Sequence, residues 1–180
     1  MLIFAVAWLY VAGYVANEAL FAELEHHRGA HWVFLPAGLR MLSVLLLRAT
    51  GAIGIFLGSL IVVWHLGESD LAGHIAEPLI SASAPLITYY LALRFGLSID
   101  LKNLSAKILI LLSLGFASMN ALLQSIWHTA QGVADSFFES FVVMFVGDVL
   151  GTMFVIYVIR TCLYVADARA KRSKDYTDSD

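Results

Sequence analysis

Two side chains that hydrocarbon excludes stand deep inside apolar runs of this chain: Arg40 and Asp148. Arg40 follows Trp32 by eight residues, about 12 Å along a helix, and Asp148 follows Ser136 by twelve, about 18 Å along its own. An ionisable group near the middle of a bilayer costs roughly 2.5–3.5 kcal/mol on insertion scales, so each needs a partner or a function. Their similar depth predicts an ion pair between the second and sixth helices. Such a pair can be purely structural. It can also serve a ligand, with the guanidinium holding an anionic group and the carboxylate orienting it or carrying a proton.

More polar groups point the same way. Asn120, Gln124 and His128 recur every four residues, so they share one helix face, with Ser113 further along. Asn17 and Glu18 stand near the end of the first helix, with Tyr14 and Tyr10 one and two turns before them. In a membrane such groups often act as interhelical hydrogen-bond glue. The alternative is that they line a cavity opening toward the outer face. The candidate ligand-binding set is therefore Arg40, Asp148, Asn120, Gln124, Glu18 and Asn17.

The six histidines, His26, His27, His31, His65, His74 and His128, all fall on the expected outer side, among Glu23, Glu25, Glu68, Asp70 and Asp135. A divalent-metal or pH-sensing site is one reading, with His27, His31, His65 and His128 as candidates, and His27 and His31 spaced to chelate from a helix. His65 and His128 could also flank a haem. No ligand motif such as H-E-x-x-H occurs, so solvated loop histidines are the preferred reading and no metal or cofactor is expected.

The elements that must position these residues follow from composition. Of 180 residues, 60% are apolar and 14% charged, at a mean hydropathy of +0.81; soluble domains carry about 25% charged residues. Crossing the hydrocarbon core takes about 20 mostly apolar residues per helix. Six such stretches use nearly the whole length: Leu2–Leu20, Trp32–Leu47, Gly51–Leu66, Pro78–Phe95, Ala106–Trp127 and Phe137–Leu163. The expected fold is thus all-α, a polytopic six-transmembrane-helix bundle over 1–163 with a short polar tail over 164–180, disordered at its end. Pro36 falls in the first turns of helix two and Pro78 opens helix four, where a missing N–H is harmless; Pro85 should kink that helix. The N-terminal stretch lacks the basic start of a cleaved signal peptide and reads as the first span. The single cysteine, Cys162, excludes an internal disulfide and a Cys-rich metal site.

Orientation follows from the basic residues. Arg48, Arg94, Lys102, Lys107, Arg160, Arg169, Lys171, Arg172 and Lys174, nine of the eleven Lys and Arg residues, fall on one side of a six-span layout. Both termini are therefore expected in the cytoplasm, with the acidic loops and Arg28 opposite. Trp8, Trp32, Trp64 and Trp127 fall near span ends as interfacial anchors. Gly54-x-x-x-Gly58 and Gly147-x-x-x-Gly151 are small-xxx-small patterns that let helix backbones approach.

The segment Trp32-Val33-Phe34-Leu35-Pro36-Ala37-Gly38-Leu39-Arg40, followed by Gly51 and by Phe56-Leu57-Gly58, resembles the opening of the MASE1 family of bacterial membrane-integral sensory domains. Gly147-Asp148-Val149-Leu150-Gly151 resembles that family's G-D-x-x-G element, and the likeness runs from about Trp32 to Arg160. The resemblance implies a signal-input module of the bacterial inner membrane. MASE1 modules are usually fused to a cytoplasmic cyclase, phosphodiesterase or kinase and are described with about eight spans. Here six are counted and no output domain follows, so a stand-alone module would signal to a separate membrane or cytoplasmic partner.

Three functions are then in play. The first is a sensory module binding a small molecule in a polar pocket open to the periplasm. The second is the substrate-binding membrane subunit of a transporter, by likeness of architecture alone. The third is an accessory structural subunit of a larger membrane complex. The bilayer is the expected partner and nucleic acid is not. Enzymatic activity is not expected: nucleophile-elbow and metalloprotease spacings are missing, and Glu139 lies about two and a half turns from Asp148, too far to form an acid pair.

Overall fold

The computed structural model describes residues 1–27, 30–65, 71–97 and 106–177, with side chains for these except 26–27, 71, 106, 163, 167–168 and 170–177. Arg28, Glu68, Asp70 and Lys102 lie outside the described residues. The described chain is almost wholly helical: α1 (Leu2–Phe21), α2 (Leu35–Leu47), α3 (Ala49–His65), α4 (Leu71–Arg94), α5 (Ala106–Ala130) and α6 (Phe137–Thr177). A two-stranded antiparallel ribbon, β1 (Glu25–His27) and β2 (Ala30–His31), precedes α2.

Three of these helices, α1, α5 and α6, are long and apolar enough to cross a membrane. α2 and α3 are apolar but shorter, at 13 and 17 residues. The surface is inverted relative to a water-soluble protein. Phe4, Trp8, Leu111, Ile126, Phe138 and Leu150 face outward, whereas Ser59, Ser113, Ser125, Ser140 and Thr152 are buried. Such a chain belongs in lipid.

Helix directions follow from named contacts. α1 and α3 run parallel, because a Cβ on Gly54 would meet Val6 and one on Gly58 would meet Ala7 and Tyr10. α4 and α5 run antiparallel, with Ser81 beside Gln124 and Thr88 beside Gly115. α5 and α6 are antiparallel as well, Ser125 meeting Ser140 and Asn120 meeting Asp148. The ends of α1, α3 and α5 therefore gather with the beginnings of α2, α4 and α6. Beyond Arg40 from that end, the interior is mostly apolar, around Met41, Val44, Ile55 and Leu112, with the Ser113 hydroxyl donating to the Leu109 carbonyl of its own helix.

Several expectations from the sequence need correction. α2 starts at Leu35, three residues later than Trp32. Pro36 has no N–H to give the Trp32 carbonyl, so a helix through 32–36 would lose a bond. Residues 30–34 instead form a short strand and a bend, with Ala30 and His31 buried and Trp32 exposed. The Phe34 N–H donates to the Gly147 carbonyl (3.1 Å), and the Leu35 N–H donates to Asn17 Oδ1 (2.8 Å), which caps the helix from α1. Gly147 and Gly151 accordingly serve a different contact from the expected one. The His31 and Phe34 carbonyls lie where their Cβ atoms would stand, so this motif admits a non-helical segment rather than a helix. Gly54 and Gly58 do seat a helix, α1.

α4 begins at Leu71 and holds both Pro78 and Pro85 inside it, so Pro78 does not open the helix. The apolar run is interrupted by His74 and Glu77, which hid the first two turns. α6 continues unbroken to Thr177, through the segment expected as a tail with a disordered end. Ala166, Ala168, Arg169, Ala170, Lys171 and Arg172 are strong helix formers and account for this.

Candidate functional site

Arg40 and Asp148 meet inside the bundle. Arg40 Nη2 lies 3.2 Å from Asp148 Oδ1, and their side chains are 5% and 7% exposed. Asn120 joins both: its Nδ2 donates to Asp148 Oδ2 (2.6 Å) and its Oδ1 accepts from Arg40 Nη1 (3.0 Å). The three groups form a closed ring of charge-assisted hydrogen bonds, the arrangement that makes a buried pair tolerable. Arg40 Nη1 also reaches Ser81 Oγ (3.5 Å). The Phe34 ring lies 5.0 Å from the guanidinium carbon, within cation–π range.

Above this ring lies a cavity of about 70 Å³. All six helices contribute to its wall, through Tyr14, Arg40, Ser59, Ser81, Gln124 and Asp148 among others. Gln124 donates from Nε2 to Ser81 Oγ (3.4 Å), while its Oε1 is buried without a hydrogen-bond partner. Nearer the gathered helix ends, His128 Nε2 is 3.6 Å from Glu77 Oε1. His31, also on the wall, stacks on Phe34 at 5.6 Å. Its Nε2 lies 3.6 Å from Glu18 Oε1 and 3.9 Å from Glu25 Oε1. Polar groups thus run in steps from partly exposed carboxylates to the buried ring.

The expected site residues divide. Arg40, Asp148, Asn120 and Gln124 are brought together on the cavity wall. Glu18 stands behind the wall against His31. Asn17 is fully buried, and its amide oxygen is committed to capping α2. Arg40 has its charge matched by Asp148, so an anionic guest would have to displace a carboxylate. Among the expected histidines, His31 and His128 border the cavity and His65 is exposed at the end of α3, while the His27 side chain lies outside the described residues. Among the described residues, no group of three His, Cys, Asp or Glu side chains converges to hold a metal ion.

Sequence reasoning missed Glu77, Ser81, Ser59 and Phe34 as parts of this site. Glu77 and Ser81 are four residues apart and share a face of α4. That spacing was readable, but opening the helix at Pro78 placed Glu77 in a loop. Nothing in the sequence signalled Phe34, since its position depends on the non-helical lead-in to α2.

A scan of protein-family models, a search of curated proteins and a search of solved structures each returned no match to this chain.

Proposed function

We propose that this chain is a membrane-embedded module that binds a small molecule in the Arg40–Asp148 cavity and passes the bound state along α6. One observation carries the reading: the polar side chains of all six helices converge on a single cavity beside a fully hydrogen-bonded charge cluster. A structural ion pair requires only its partners. A buried Gln124 oxygen without a partner, in a residue on the cavity wall, is not needed for stability and costs about 1–3 kcal/mol, which suits a site that waits for a donor.

The full arrangement we assign is six crossings in a bacterial inner membrane with both termini cytoplasmic. The nine basic residues on one side support it, as does alternation of the helix directions. α2 alone, at 13 residues, covers about 20 Å of a hydrocarbon core about 30 Å thick. Its lead-in over residues 30–34 adds up to about 17 Å, so the two together suffice. Irregular backbone at that depth is tolerated where it is buried in protein or lines a cavity, and His31 and Phe34 of this segment stand on the cavity wall. The gathered end with His31 and His128 then faces the periplasm.

A sensory role, as the MASE1-like motifs imply, is favoured by α6. One unbroken helix connects Asp148 to Thr177, about 44 Å away, where a separate partner could read a displacement. A second reading, the substrate-binding subunit of a transporter, is favoured by the interrupted second crossing, since transporters build midplane sites from broken helices. The test uses the exposed Cys162, the chain's one cysteine, labelled with an environment-sensitive fluorophore. Screening small polar metabolites against the labelled protein in nanodiscs should give a saturable signal that Gln124→Leu abolishes. A flat response across the screen argues against a ligand-driven motion of α6.

A further inference from the structure

Which ligand the cavity takes can be narrowed by counting what its wall has left to offer. Its strongest donors are already committed. Arg40 is bonded to Asp148, Asn120 and Ser81, Asn120 Nδ2 to Asp148, and Gln124 Nε2 to Ser81. The Arg40 and Asp148 charges cancel. What remains includes the hydroxyls of Tyr10, Tyr14 and Ser59, the imidazoles, and two acceptors: Gln124 Oε1, buried without a partner in a residue only 9% exposed, and the carboxylate of Glu77, 24% exposed on the wall with one oxygen 3.6 Å from His128 Nε2.

Charge points the same way. Among the described residues, Arg40 is the only Lys or Arg on the wall. Glu77 lies on it, and Glu18 and Glu25 stand just behind, against His31. Among the described residues, with neutral imidazoles, these three carboxylates outweigh the cations near the cavity. Carboxylates among the described residues thus border the cavity, and the rings of Tyr10 and Tyr14 line it, surfaces that favour a cation. Among the described residues, no three His, Cys, Asp or Glu side chains gather there to hold a metal ion.

Resting on the ligand-binding reading above, we infer that the guest is a small primary ammonium ion. Its N–H groups would meet Gln124 Oε1 and the Glu77 carboxylate, and its charge would offset the acidic rim. At about 70 Å³, where about 10–15 Å³ suffices for one water, the space holds a small guest with room to spare. Methylammonium has two heavy atoms. Quaternary ions offer no N–H.

The experiment is thermal unfolding and calorimetric titration of the full chain in nanodiscs with methylammonium chloride. Potassium chloride, tetramethylammonium chloride, sodium formate and urea serve as matched probes. Methylammonium should bind saturably and raise the unfolding midpoint. Glu77→Gln, at a partly exposed position that tolerates the change, should weaken it at least tenfold, and Gln124→Leu should do likewise. Potassium binding as tightly as methylammonium would overturn the requirement for N–H donors. Formate or urea binding in a Gln124-dependent manner, with methylammonium inert, would overturn the cationic guest while leaving a ligand site in place. No binding by any probe would overturn the ammonium inference alone, because the metabolite screen on labelled Cys162 judges the wider reading separately.

Discussion

Consider removing the charges of the buried ring one at a time and then together. Arg40→Met strips the guanidinium from a site where the Asp148 side chain is only 7% exposed, leaving the carboxylate with Asn120 Nδ2 as its remaining partner among the ring atoms. Asp148→Asn leaves the guanidinium facing Asn120, Ser81 and the Phe34 ring with no counter-charge. Breaking a buried pair from one side costs about 3–5 kcal/mol. At roughly 2–4 °C per kcal/mol for a chain of this size, each single variant should melt about 6–20 °C lower. Additivity would put the double variant about 6–10 kcal/mol below the wild type. The double variant, however, buries no charge, and the amide introduced by Asp148→Asn can still bond Asn120. Its expected loss is about 1–3 kcal/mol, so a coupling of at least about 3 kcal/mol should appear. Equilibrium unfolding in mixed micelles, with all four proteins measured side by side, reads this. Additivity within about 0.5 kcal/mol would refute the closed ring.

Two further substitutions probe the lead-in to α2. Gly151→Ala should destabilise by about 1–3 kcal/mol or more, because its Cβ would stand against the Phe34 carbonyl; Gly132→Ala, where nothing lies nearby, has only its positive φ (70°) to oppose it and should cost less in the same melting experiment. Asn17→Ala removes the cap on Leu35 and should cost about 1–2 kcal/mol, with Asn17→Asp recovering part of the loss, as measured by unfolding in micelles.

Much of this was legible in the chain because lipid makes polarity expensive. Arg40 and Asp148 at matched depth were enough to pair them, and the four-residue spacing of Asn120, Gln124 and His128 was enough to place them on one wall. Helix-spanning runs located α1, α3 and α5 to within a few residues at most ends. The failures share a cause: apolar runs mark where lipid or core contact begins, not where a helix begins. Glu77 turns inward to the cavity, so its helix starts before the apolar run does. Residues 32–34 are as apolar as a helix, yet Pro36 and the neighbouring glycines keep them out of one. Gly147 and Gly151 read as a helix-pairing motif because spacing alone cannot tell which backbone fills the groove. The helical extension of α6 was missed by weighing polarity above the helix propensity of alanine, arginine and lysine.

The most direct test of a water-connected internal cavity is the reactivity of a cysteine placed on its wall. Val63 is buried there and close to cysteine in size, and Leu122 is exposed on the outer surface of α5. In a Cys162→Ser background, Val63→Cys should react with a small cationic methanethiosulfonate added from the periplasmic side of sealed membranes. It should do so faster than with the sulfonate analogue, while Leu122→Cys stays inert. Labelling of Val63→Cys from the cytoplasmic side alone, or no faster than Leu122→Cys, would contradict a polar cavity open to the outer face.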